Sequence, residues 1–344
     1  MNVAERGRVL RARDPLRVIA CVTLCTALAG ANSVATTSAA RDHSGESIGA
    51  GGENNTLASP GLSVEHNGEW TRWWAADSAP VRWTGPLDAV TRALIWRSTV
   101  SPAVQWGELR LSGSGEAWRV RVIVARIDPK RVHIRLDTAF GGSVAHPSWS
   151  IDHAPAAAIV AVNAGQFVGA LPWGWVVLDG HQFLPPGKGP LSTAVVVDSS
   201  GGVHWVQPDS LGAARSMHGI AAAFQSYPTL LRDDGDVPEP LQPRFATSAL
   251  SLDHRDARLA LGQLRDGRIL IALTRFDALD GSFDYVPFGL TTPEMAAVMG
   301  ALGCQSAVML DGGISSQMMI RVSAGQELRW RGIRRVPLGL VVMP

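Results

Sequence analysis

The chain has 344 residues, 46% of them hydrophobic and 18% charged, with a formal net charge of +1. That composition is globular and ample for a sizeable core, which excludes a chain disordered throughout. The near-even charge balance leaves no polycation for nucleic acid to meet.

The amino terminus is basic, with Arg6, Arg8, Arg11, Arg13 and Arg17, and residues 18–29 form an apolar run that ends in small residues. This is the pattern of a secretory signal peptide, too short for a comfortable membrane span. Residues 1–40 are therefore expected to be removed, and the mature chain to be secreted or held in the periplasm or cell envelope without a membrane span. Cys21 and Cys25 leave with this segment, so Cys304 stands alone and reads as a small buried thiol. Residues 41–64 are rich in Gly, Ser, Ala and Asn and are expected to be a flexible spacer. Trp70, Trp73, Trp74, Trp83, Trp96 and Trp106 follow, half of the twelve tryptophans in the chain. The segment 65–105 is expected to pack on or flank the main domain, although an exposed tryptophan face also suits stacking on a sugar.

From residue 106 onward the texture is of strands separated by turns. Residues 118–127 alternate valine with arginine, and the turn Asp128, Pro129, Lys130 predicts a hairpin with 132–136. Residues 156–162 read as a buried strand closed by Asn163, Ala164, Gly165, Gln166 and Phe167. Asp179-Gly180 and Asp266-Gly267 each mark a turn between strands, and 193–197, 202–206, 219–224 and 338–343 read as further strands. Helices are few. The two candidates are 150–158 and 291–302, the second with Thr291 and Glu294 spaced as a capping box and Gly303 as its stop. The expected architecture is one α+β domain over 106–344, a mixed, strand-rich sheet with a few short helices.

That second helix leads into the apolar strand 307–310 and then Asp311, Gly312, Gly313, Ile314, Ser315 and Ser316. A carboxylate at the mouth of a buried strand, followed by two glycines that let the backbone turn tightly, has the shape of a site. A plain Asp-Gly hairpin turn is the competing reading. Asn163 and Gly165 close another buried strand, and Arg258 opens a third with the planar donor fork that suits a phosphate. The nine histidines fall without zinc-site spacing, and no phosphate-binding or dinucleotide fingerprint follows a strand, so neither metal nor cofactor is expected.

Taken in order, these pieces resemble the phosphodiester glycosidase family. An Asn-Gly-Gly-x-Phe element of that family is similar to Asn163–Phe167, an Arg-Thr-Ala-x-Gly strand with a following Asp-Gly is similar to 258–267, and Asp-Gly-Gly-Gly-Ser-Ser is similar to 311–316. This chain departs from the pattern at Ala164, Gln166, Leu259 and Ile314. The resemblance implies an exported hydrolase acting on a sugar-1-phosphodiester in envelope or exopolysaccharide glycans. It implies Asp311 as the catalytic carboxylate, Arg258 and the Gly312 and Gly313 amides holding phosphate, and Asn163 and Ser315 orienting the sugar. Gly165 and Ser316 would line the substrate. The alternative from another class is a non-catalytic, glycan-binding envelope protein of the same descent. Oligomeric state and the identity of sugar and aglycone stay open.

Overall fold

The computed structural model describes residues 59–139, 148–242, 252–278, 283 and 285–344. The leader expected over 1–40 and the spacer up to residue 58 lie outside the described residues. The first strand, Gly61–His66, already begins within the stretch expected as spacer. No helix of the described residues is long and apolar enough to cross a membrane.

Three antiparallel sheets carry the fold. The largest runs in spatial order Thr229–Leu231, Cys304–Met309, Leu259–Leu264, Ile269–Phe276, Val120–Ile127, Val104–Ser112, Gly61–His66 and Glu69–Ala75, with Arg97–Ser98 pairing off that path. A five-stranded sheet is built on Val160–Asn163, flanked by Met318–Ser323 and Gly339–Met343. Another is built on Val176–Leu178, Thr193–Asp198 and Ile220–Ser226.

Strand periodicity explains the layering. In Leu259–Leu264, Leu259 and Leu261 enter the core shared with Val160, Val162, Met318 and Leu340 of the smaller sheet. Ala260 and Leu264 enter the opposite core, with Met295, Val298 and Met299 of the helix Thr292–Ala301. The large sheet is thus buried on both faces. Cys304 lies in the helix-side core, where burial pushes its thiol far above the usual range and makes it a poor nucleophile.

The helix forms where its caps predict. Thr291 accepts from Glu294 N at 3.3 Å, Glu294 Oε2 accepts from Thr291 N at 2.9 Å, and Gly303 ends the helix with φ of +93°. The other helix candidate shortens to one turn, Ile151–His153. Ala154 must leave the helical region because Pro155 follows, and it takes ψ of 140°. Both Asp-Gly turns form hairpins, and at Asp179-Gly180 both residues have positive φ. The expected hairpin between 118–127 and 132–136 does not form. Val120–Ile127 is paired along both edges, with Val104–Ser112 and Ile269–Phe276, so His133–Asp137 joins Gly339–Met343 in the other sheet. In the tryptophan-rich segment Trp74 and Trp83 are buried in the helix-side core, and Trp70 stays exposed.

Candidate active site

Asp311 stands where the two sheets meet. Leu310 N donates to Leu259 O at 2.8 Å and Asp311 N donates to Ala164 O at 3.2 Å, so main chain from both sheets fixes the root of this side chain. Burial pushes the Asp311 carboxyl up to about 6; a hydrogen bond from Ser315 and the positive charge of Arg334 oppose the rise, and the charge of Asp256 adds to it. Its Oδ2 is buried without a hydrogen-bond partner. A buried carboxylate oxygen left without a partner marks Asp311 as a candidate functional group.

A second carboxylate lies beside it. Asp256 Oδ1 accepts from Ala257 N at 2.9 Å, and its Oδ2 packs so close to Gly313 that a Cβ there would approach within 2.7 Å. Gly313 also has φ of +59°, so glycine is required on two counts. Burial raises the Asp256 carboxyl as well, opposed by Arg258 and His254.

The remaining motif residues serve mainly to hold this loop. Asn163 is fully buried; its Nδ2 donates to Asp311 O at 2.7 Å and its Oδ1 accepts from Gln317 N at 2.9 Å. Each end of its amide makes one of these bonds, so Asn163 clamps the loop from first residue to last. Ser316 Oγ donates to Gly313 O at 2.8 Å and accepts from Arg275 Nη1 at 2.9 Å, again a structural pairing. Gly313 N donates to Ala257 O at 2.7 Å, which removes it from the expected anion-binding pair of amides. Gly312 packs against the same carbonyl, and Gly165 lies against Gln225 O where a Cβ would be 2.7 Å away. Arg258 donates through Nε to Leu290 O at 2.8 Å and through Nη2 to His254 O, tying two loops together, and its burial lowers its pKa. Of the expected residues, the structure brings Ser315 side chain to side chain with Asp311, and the others position the backbone.

Two neighbours of Asp311 escaped the sequence reading, Asp256 and Arg334. Asp256 is marked only by a polar run just ahead of a buried strand. Arg334 is marked only by an arginine-rich turn after Trp330. Both reach the site through tertiary packing.

The departures from the family pattern are accommodated. Leu259 points into the inter-sheet core, so the hydroxyl it replaces is not missing from the site. Ile314 is exposed and is not among the residues with positive φ, so the backbone there does not demand glycine. Ala164 is buried in the same core as Leu259, and Gln166 Nε2 donates to Leu310 O and Tyr227 O at 3.1 Å each, stapling the strand end beside Asp311.

Fold and site together define a class: a strand-rich α+β domain with two aspartates, both raised by burial, at a junction of sheets. The model of the phosphodiester glycosidase family matches residues 156–343, and the chain belongs to that family. Among solved structures, the catalytic domain of zebrafish N-acetylglucosamine-1-phosphodiester alpha-N-acetylglucosaminidase, auto-inhibited by its pro-peptide, is similar at 18% identity and a TM-score of 0.55, covering 77% of this chain and 92% of that one. A hypothetical protein from Synechocystis is similar at 15% identity and a TM-score of 0.46, covering 83% of this chain and 68% of that one. No curated relative matches the sequence.

Proposed function

We propose that the chain is an exported hydrolase that cleaves the bond between the anomeric carbon of a sugar and a phosphodiester in envelope or exopolysaccharide glycans. Family membership supports the substrate class, and the arginine-flanked apolar run at 18–29 supports export. The observation that carries the chemistry is the buried Asp311 carboxylate, with an unpartnered Oδ2 and within reach of the charge of Asp256.

In this reading the ionised Asp311 takes the proton of a water whose oxygen attacks the anomeric carbon. The carbon–oxygen bond breaks, and the phosphate leaves with the bridging oxygen and the electron pair. A phosphate monoester is a weak base, so its departure needs little protonation, and one base suffices. In the same reading Asp256, whose charge already acts on Asp311, adds negative charge that stabilises the positive, oxocarbenium-like carbon. Turnover of a nucleotide-sugar or p-nitrophenyl phosphodiester by the purified mature chain supports this function. Binding of glycan without turnover favours the non-catalytic alternative.

A pH profile gives a second test. Asp311 acts only when ionised, so kcat/KM should fall as pH drops through about 6. Asp256→Asn removes a like charge that raises Asp311, so the acid limb should move to lower pH. Loss of charge stabilisation should also lower kcat by roughly tenfold or more. An acid limb that stays in place in Asp256→Asn would separate the two carboxylates.

A further inference from the structure

We propose that Arg334, seated on the ring of Phe167, is the side chain that binds the phosphate of the substrate. This rests on the glycosyl-phosphate reading above and adds to it a cation outside the three motifs that carry the resemblance.

The need for such a residue follows from the geometry of the other arginines. Arg258 has two of its donors on main-chain carbonyls, and Arg275 is buried with its guanidinium on Ser316 Oγ and Ser316 O at 2.9 and 2.6 Å. Both hold loops. Arg334 differs in each respect. Its guanidinium carbon lies 4.5 Å from the centroid of Phe167, a cation–π contact that uses none of its N–H donors. The side chain is exposed, and no hydrogen bond or ion pair to a described residue engages it. Its charge nonetheless reaches Asp311 and restrains the rise of that carboxyl.

The position is built into the fold. Ile333 N and Arg334 N both donate to Ile314 O, at 2.7 and 3.0 Å, which docks the 330–335 turn on the loop that follows Asp311. Gly332 permits the approach, because a Cβ there would meet Ser315 O at 2.8 Å. A guanidinium that acts on a carboxylate without pairing with it can donate its fork to phosphate oxygens while Asp311 faces the anomeric carbon. Arg97 and Arg119 are exposed arginines that also lie on rings, those of Trp106 and Trp118, but their charges do not act on Asp311.

Titration calorimetry of the mature protein with inorganic phosphate tests the subsite without requiring turnover. Wild type should bind phosphate, Arg334→Ala should bind about tenfold more weakly or worse, and Arg334→Lys should recover part of the loss as a point charge without a fork. Equal binding by wild type and Arg334→Ala, or no binding by wild type, would overturn the proposal. Where a glycosyl phosphodiester is turned over, Arg334→Ala should raise KM more than it lowers kcat. It should also move the acid limb to higher pH, since the cation that restrains Asp311 is gone. A limb that does not move, with KM unchanged, would leave Arg334 outside the site. Phosphate binding that depends on Arg334 in a protein that turns over no phosphodiester would count against the functional reading and leave the subsite standing.

Discussion

Asp311→Asn is expected to lower turnover by about a hundredfold or more, the scale of losing a general base. The amide is nearly isosteric, so the loop clamped by Asn163 should persist, but it cannot take a proton from water. Stability should respond in the opposite sense to activity. The folded-state value of about 6 lies above the ordinary aspartate value of about 3.9, so the native protein holds the proton more tightly than the unfolded chain. That contribution is fully present below about pH 4 and is lost as pH rises through about 6, a swing of at most about 3 kcal/mol. Asparagine is neutral throughout. The melting temperature of the mutant relative to wild type should therefore climb between pH 4 and pH 7. A mutant that keeps full activity removes Asp311 from the mechanism, and a stability difference independent of pH removes the buried charge.

Glu294→Ala is expected to cost about 3–5 kcal/mol of folding stability, the scale of breaking a buried ion pair from one side. Glu294 is buried, and its two oxygens accept from Arg255 Nη1 at 2.6 Å and Arg255 Nη2 at 2.8 Å. Oε2 also accepts from Thr291 N, completing the helix cap. Alanine leaves the Arg255 guanidinium with the exposed Glu116 at 3.8 Å as its remaining ion pair. Glu294→Gln keeps an acceptor for the cap and should lose less. Asp256 follows Arg255 directly, so the alanine variant should also weaken catalysis in whatever fraction remains folded. Urea unfolding that places Glu294→Ala within about 1 kcal/mol of wild type would show that the pair does not hold this region.

What was legible in the sequence was local. The Thr291/Glu294 cap, the Gly303 stop and the Asp-Gly turns are decided within a few residues by backbone geometry and short hydrogen bonds, and each formed where its pattern stood. Asp311 was legible for the same reason, as a carboxylate closing an apolar strand. Pairing was not local. Nothing in 118–136 records that Val120–Ile127 has partners on both edges more than a hundred residues apart, so the nearest strand was the wrong one. The side-chain partners were hidden for a related reason. Asn163 has the chemistry to orient a sugar, but Gln317 N and Asp311 O, both more than 140 residues away, already engage it. Asp256 and Arg334 are likewise ordinary charges in sequence and become neighbours of Asp311 only through packing.

In this mechanism water attacks the anomeric carbon, and the bond that breaks can be read directly. Glycosidase and phosphodiesterase action on one glycosyl phosphodiester give the same products but send the water oxygen to different places. Two neighbouring aspartates suit an oxocarbenium-like transition state. Attack at phosphorus is commonly assisted by bound metals or by several cations around the transferring group. Hydrolysis in oxygen-18 water, followed by mass spectrometry of both products, should place the label in the sugar and leave the phosphate unlabelled. Label in the phosphate would contradict both the mechanism and the role given to Asp311.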